Sequence, residues 1–474
     1  MNLDSITVAA VTGGSVTGPP ALFSGLSIDS RKVAPGDLFI ALKGPNHDAH
    51  DFLAEALVNA AGAIVGRIPE SLSARGHSLV RVPNTLAALH ALARYVRTTL
   101  APRVVAVVGS VGKTTTKELV ATVLARRFAV AKTTGNLNNT IGMPAEVVRM
   151  PEGTEVAVLE MGMSTPGEIK LLSELVRPDV AVVTAIQPEH MANFTSLAGV
   201  LDANAEILAG LSRKGTVVAN GDDAGARSLA GRHSGPVILF SLGKSDATVW
   251  ASSIAEGPDG TRFVLHVPEG EEPVSLPLPG RHNVSNFLAA AAVGVALGMQ
   301  VGEIARSAGS AVAAPHRGEI HELPDGTVVY DDAYNSSPAA LEASFAAFEA
   351  LGKGRRLVAV VGDMLEMGRF AAEYHAEAGR RLAGRAALLV AVGEESRRLA
   401  ENAREAQRIS RPSVNETQPV HLRENVVLEA KDADEASALL LPRLEPGDAV
   451  FVKASRGMRL EKVVAAVLAS RKAG

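Results

Sequence analysis

The stretch VAVVGSVGKTTTKE, from Val105 to Glu118, decides how the chain is read. An apolar run of this kind suits a parallel strand buried on both faces. It ends in a glycine turn that passes directly into a lysine and three threonines. Such a turn at the start of a helix aims backbone N–H groups and the positive end of the helix dipole at an anion. The usual phosphate-loop spacing, G-x-x-x-x-G-K-[ST], would place its first glycine where this chain has Val107. The predicted cradle is therefore a shortened one made of Gly109, Ser110 and Gly112. Lys113 is set to reach the β- and γ-phosphates, and Thr114 offers its hydroxyl to Mg²⁺, with Thr115 beside it.

Further predicted strands end in polar chemistry on either side of this loop. VAVLE at 156–160 puts Glu160 at a strand tip, where an acid can hold Mg²⁺. VAVVTAI at 180–186 is followed by QPEHMANF, which carries His190. TTGNLNNTIGMP at 133–144 is dense in amides and hydroxyls, which bind polar groups without adding charge. DSRKVAPGDLFIAL begins with Ser30 and Arg31 just ahead of a strand; Arg31 either pairs with an anionic substrate or is an ordinary surface arginine. YDDAYNSSP (330–338), GDMLEMG (362–368) and KASRGMRLE (453–461) gather amides, acids and bases at strand ends, as ligand loops or as solvated connectors.

Strand and helix patterns alternate almost throughout the 474 residues, which argues for α/β domains with mainly parallel sheets. That length exceeds one ordinary core. Three domains are expected, over residues 1–98, 99–313 and 314–474. The basic stretch RYVRTTLAPR and the stretch AAPHRGE at 313–319 are the predicted joints, and residues 215–280 form a β-rich insert. The last domain repeats the strand–helix rhythm in RRLVAVVGD, AALLVAVGE and DAVFVKASRG. The absence of cysteine excludes disulfides and thiolate chemistry and fits a reducing cytoplasm. MNLDSITVAAVTGG has no basic leader and makes a poor signal peptide. A net charge of −4 gives no reason to expect nucleic acid. The apolar run Phe287–Met299 is too short to cross a bilayer, so it predicts a buried helix and no stable membrane insertion.

Taken together and in this order, DSRKVAPGDLFIAL, GSVGKTTTKE, TTGNLNNTIGMP, LEMGM, PEHMANF, GRHNVSNFLAA, DDAYNSSP, GDMLEMG and KASRGMRLE resemble the ATP-dependent Mur ligases of peptidoglycan synthesis. The likeness covers essentially the whole chain. NLNNTIGMP and GDMLEMG resemble stretches specific to one member of that family. The resemblance implies an N-terminal UDP-sugar domain, a central P-loop parallel-sheet ATPase domain binding ATP and Mg²⁺, and a C-terminal Rossmann-like domain, in a monomeric cytoplasmic enzyme. It implies Lys113, Glu160 and His190 as catalytic groups, with Thr114, Glu160 and His190 at the metal. Asn283 and Asn286 match the pair near adenine, while Arg317 and Asp332 match contacts to γ-phosphate and ribose. Ser30 and Arg31 fall where the family meets its UDP-sugar. Asn138, Asn139 and Asn335 fall toward the peptide substrate, with Lys453, Ser455 and Arg456 from the last motif.

One position departs from the family pattern. The lysine that becomes a carbamate supporting a second Mg²⁺ is replaced here, in LDANAEIL, by Asn204. An asparagine cannot carry a carbamate. Two rival functions have less in the sequence to carry them. A guanine-nucleotide switch needs an N-K-x-D motif that is absent, and folylpolyglutamate synthase, an amide ligase of the same fold, does not explain the DSR block.

Overall fold

The computed structural model describes residues 3–68, 76–244, 246–257, 259–410 and 425–472. Strands and helices alternate along the chain, and the strands gather into three main sheets and one small ribbon. The first sheet runs in the order Ser15–Thr17, Ser78–Arg81, Gly62–Val65, Asp37–Ile40, Gly25–Ser27. It is parallel except at the Ser15–Thr17 edge.

The second sheet is built around β1 (Arg103–Val108), with β2 (Val156–Glu160) and β3 (Val180–Val183) parallel on either side. From β1 the chain passes to the edge strand Val130–Lys132, returns to β2 and then crosses β1 to β3, so the strand order reverses at β1. In a parallel sheet that arrangement opens a crevice at the carboxyl ends of the strands, where ligands bind. Val104 to Val108 are fully buried, as their unbroken apolar run requires. The β-rich stretch at 215–280 continues the same sheet. Thr216–Asn220, Val237–Ser241 and Val249–Gly257 add in parallel, then Gly260–Val267 and Gly270–Leu276 add antiparallel.

Helix α1 (Lys113–Leu124) follows the glycine turn and packs against α2 (Arg281–Ala296). The alanine run explains the closeness of this packing. Ala289 to Ala292 are fully buried, and a Cβ on Gly294 would lie 3.0 Å from Ile304 and 3.4 Å from Val123. The expected buried helix is therefore present.

The third sheet holds β4 (Glu319–Glu322), β5 (Val328–Asp332), β6 (Leu357–Gly362) and β7 (Ala449–Lys453), ordered β4-β5-β7-β6 and continued by Leu388–Val392 and Val426–Ala430. Only β4 runs antiparallel to its neighbour.

The basic, proline-marked stretch 94–103 leads from the first sheet's domain into β1. Most of it is the end of a helix, Thr85–Leu100, closed by Ala101 at φ 47°. Leu89, Leu92, Ala93 and Val96 lie on one helical face, which is buried. They enter an apolar core that also takes Leu26, Val104, Met143 and Leu172, so the first two sheets share one interior. The third sheet has separate cores on its two faces. One of them stacks Phe451 against Tyr330, Phe345 and Phe348 with ring centroids 5.2–5.8 Å apart. Phe451→Ala is expected to destabilise this sheet by about 3–5 kcal/mol. Faster amide hydrogen exchange in β5, β6 and β7, with β1 unaffected, is the readout.

Candidate active site

The cradle after β1 is a tight turn pinned to the segment after β3. Gly109 and Gly112 have φ of 131° and 86°, which favour glycine. A Cβ on Gly109 would lie 2.1 Å from Thr184 Oγ1 and 3.0 Å from the backbone N of Ala185. Ser110 N donates to the Ala185 carbonyl at 2.7 Å, and Ser110 Oγ to that of Gln187 at 2.8 Å. Val107 remains buried in the strand, paired in register with Glu160. Lys113 Nζ is held 3.3 Å from the Ser110 carbonyl and 3.2 Å from Glu189 Oε2. Thr114 and Thr115 follow on the first turn of α1 and line the cavity.

Glu160 ends β2 with only 2% of its side chain exposed. Its Oε1 accepts from Asn138 Nδ2 at 2.8 Å. Its Oε2 is buried without a hydrogen-bond partner, 3.5 Å from the ammonium of Lys117. Lys117 is fully buried and also donates to the Gly135 carbonyl at 3.0 Å. A buried carboxylate oxygen with unused acceptor capacity suits a hard cation such as Mg²⁺. His190, at φ 50°, is held at Nδ1 by the Glu366 carboxylate, so its Nε2 is the nitrogen available to a metal.

Asn138 and Asn139 have separate roles. Asn138 faces Glu160, whereas Asn139 Oδ1 accepts from Ile141 N and Gly142 N at 3.1 and 2.7 Å and caps the next helix. On α2, Asn286 Oδ1 accepts from Thr116 Oγ1 at 3.2 Å, and Asn283 Nδ2 donates to the Pro279 carbonyl at 2.8 Å. Burial holds the His282 imidazole down to about 4; the Asp332 carboxylate raises it and the Lys453 ammonium lowers it. At neutral pH His282 is therefore uncharged and presents one donor and one acceptor.

The third sheet supplies the opposite wall. Lys453 Nζ binds Asp332 Oδ2 at 2.5 Å and the Asn335 carbonyl at 2.9 Å, with only 3% of the lysine exposed. Ser455 Oγ accepts from Leu365 N at 2.9 Å. Two guanidinium groups approach the ring of Tyr334, Arg317 at 4.1 Å and Arg456 at 5.4 Å from its centre. One cavity of about 740 Å³ is lined by the expected residues of the second and third sheets, apart from Gly109 at its back.

Ser30 and Arg31 are not on this wall. They lie in a short 3₁₀ turn of the first sheet's domain, where Arg31 is 80% exposed and paired with Asp29 at 2.9 Å. Asn204 is also off the cavity; it is buried, and its amide donates to Val200 of its own helix at 2.9 Å.

Four site groups escaped the sequence reading: Lys117, Glu189, His282 and Glu366. Lys117 had a signal, since it sits one turn after Lys113 on the face of α1 that turns inward. Glu366 sits in the quoted stretch GDMLEMG, but its contact with His190 spans 176 positions and shows only in the fold.

A phosphate loop at the crevice of one parallel sheet, with a second α/β sheet facing it across the cavity, defines a nucleotide-dependent enzyme of the P-loop α/β class. Comparison with known proteins narrows this. Residues 22–97, 107–294 and 316–456 match, in turn, the Mur ligase catalytic domain, the Mur ligase middle domain and the Mur ligase glutamate ligase domain. The UDP-N-acetylmuramoyl-tripeptide–D-alanyl-D-alanine ligase of Bacillus subtilis (strain 168) is 32% identical over 463 residues, 96% of each chain. A crystal structure of MurF from Acinetobacter baumannii superposes with a TM-score of 0.85 at 29% identity, over 99% of each chain. MurF ligase from Thermotoga maritima in complex with ADP gives 0.79 at 26% identity, over 95% of this chain and 98% of that one. The chain belongs to the Mur ligase family.

Gly109→Ala is expected to force about 1–3 kcal/mol of backbone strain into the cradle. Binding of a fluorescent ADP analogue, followed at equilibrium, should weaken about tenfold or more.

Proposed function

We propose that the protein joins D-alanyl-D-alanine to UDP-N-acetylmuramoyl-tripeptide at the expense of ATP, with Mg²⁺, giving the UDP-MurNAc-pentapeptide precursor of peptidoglycan, ADP and phosphate. The observation that carries this reading is the single cavity in which Lys113, Glu160 and His190 face Arg317, Asp332 and Lys453. It is read together with the match to a ligase of that activity over 96% of the chain. We assign the UDP-sugar to residues 1–98, ATP to 99–313 and the closing wall to 314–474, in a cytoplasmic monomer. Among the described residues, no helix is long and apolar enough to cross a membrane.

Joining a carboxylate to an amine in water is uphill, so the carboxylate must first gain a better leaving group. ATP supplies that group as a phosphoryl, converting the peptide carboxylate to an acyl phosphate; the dipeptide amine then attacks the acyl carbon and phosphate departs. Lys113, released from the Ser110 carbonyl and Glu189, neutralises charge on the moving phosphoryl group. Thr114, Glu160 and the Nε2 of His190 would hold Mg²⁺, with Glu366 fixing the imidazole through Nδ1. Arg317 and Asp332 face the γ-phosphate and ribose from the third sheet, and Asn138, Asn335, Ser455 and Arg456 face the peptide. A closed cavity keeps water from the acyl phosphate. The chain needs no nucleophile of its own.

ADP release should require both UDP-MurNAc-tripeptide and D-Ala-D-Ala; turnover indifferent to either substrate would end this reading. Lys113→Met should lower kcat about 10²–10³-fold. Bicarbonate should leave the rate unchanged, because Asn204 cannot form a carbamate and turns into its own helix. The Asn204→Lys variant should acquire a bicarbonate response, and a bicarbonate requirement in the unaltered protein would refute the assignment.

A further inference from the structure

The joint into the third sheet carries four ligand-type side chains that the ligation chemistry does not use. His316 lies in the linker at φ 59°, beside Arg317. Glu319 and His321 follow on one face of β4, and Asp331 lies on β5. The strands pair antiparallel with Glu319 directly opposite Asp331, an arrangement that like charge alone destabilises. Asp331 is 1% exposed; its Oδ1 accepts from Ala333 N at 3.2 Å, and its Oδ2 meets His316 Nδ1 at 2.7 Å. His321 Nε2 lies 3.8 Å from that same Oδ2 and 3.9 Å from Glu319 Oε1. Those separations are too long for hydrogen bonds, and the nitrogen is buried without a partner. Among the described residues, the ion-pair partners of these two carboxylates are the two histidines alone.

We propose that His316, Glu319, His321 and Asp331 form a binding site for a divalent transition metal of the Zn²⁺ class, distinct from the Mg²⁺ site at Glu160 and His190. A tetrahedral Zn²⁺ with N and O ligands at about 2.0–2.2 Å sets its donor atoms roughly 3.3–3.6 Å apart. The 3.8 and 3.9 Å separations need a slight contraction. The 2.7 Å contact opens by under about 1 Å, by movement of His316, whose side chain is 35% exposed. The donor atoms of His316, Glu319 and Asp331 already lie within 4.8 Å of one another. That of His321 is near the two carboxylates but outside this group, so His316 must move toward it for all four to bind one ion. Two imidazoles with two carboxylates favour zinc over the hard cations Mg²⁺ and Ca²⁺. An outer shell is in place, since Ala333 N holds Asp331 and His316 N donates to Glu319 Oε2 at 3.3 Å.

The bare alternative, a His316–Asp331 hydrogen bond alone, leaves His321 Nε2 unpartnered. A metal supplies that partner and places positive charge between the facing carboxylates. It also fastens the backbone around Arg317, where Gly318 N donates to the Asp331 carbonyl at 2.9 Å and Tyr334 N to that of His316 at 3.1 Å.

Tag-free, EDTA-stripped full-length protein is titrated with Zn²⁺ by calorimetry and with Co²⁺ by visible absorption. We expect one Zn²⁺ equivalent and a tetrahedral Co²⁺ spectrum that persist in His190→Ala and weaken at least about tenfold in His316→Ala and in His321→Ala. Far-UV circular dichroism checks folding; where an alanine variant fails to fold, His316→Gln or His321→Gln carries the same comparison. Absence of Zn²⁺ binding, binding unchanged in the His316 and His321 variants, or binding abolished by His190→Ala would each overturn the proposal.

Discussion

A buried ion pair underlies the site. Lys117 has no solvent exposure and Glu160 almost none, and their charged atoms lie 3.5 Å apart. Removing one partner of such a pair leaves an uncompensated buried charge, at a cost of about 3–5 kcal/mol. The pair joins α1, which begins at Lys113, to the tip of β2, and through Gly135 to the amide loop that carries Asn138. Rotation of α1 would strand the ammonium among apolar side chains. The direction in which the phosphate loop faces is thereby tied to the position of the carboxylate meant for the metal.

The opposite wall is held in a different way. The loop after β6 reaches the second sheet through Glu366 on His190, Ala192 N on the Glu366 carbonyl at 3.0 Å and Arg369 on the Thr195 carbonyl at 3.3 Å, with Phe370 packed against the shared apolar core. Gly368 is needed there, since a Cβ would lie 2.9 Å from Ala192 Cα. Lys453 and Asp332 form a second pair, burying a lysine in that wall as Lys117 is buried in the first. Each wall thus aligns its polar groups around a largely buried lysine.

The fold was legible where burial acts on contiguous residues. The runs at 104–108, 156–160 and 180–183 are apolar because parallel neighbours cover both faces, and the chemistry falls at their ends. Proline and arginine mark the end of the helix 85–100 locally, while the burial of Leu89, Leu92 and Val96 in a core shared with the second sheet shows only in the folded chain. The site was legible where its residues fall in short motifs. Glu366 and His282 gain their roles from surfaces that meet only in the folded chain. Asn139 looked like a twin of Asn138, yet its carbonyl is spent on two backbone amides.

The cores of the sheets differ in a way that bears on ligand recognition. The first two sheets share an apolar interior, which costs about 25 cal/mol per Å² to open. The third sheet's domain adds the partly buried Phe370 to that interior and otherwise meets it at contacts such as Glu366 on His190 and Arg369 on Thr195, which exchange for water at little cost. A small molecule seated on the phosphate loop alone meets a surface already formed. One that bridges to Asp332 and Arg456 must also fix the third sheet, so part of its contact energy goes to ordering the protein. Fragments and bridging compounds should therefore follow different rules of affinity on the same cavity: fragments the quality of their contacts, bridging compounds the readiness of the third sheet to stay closed.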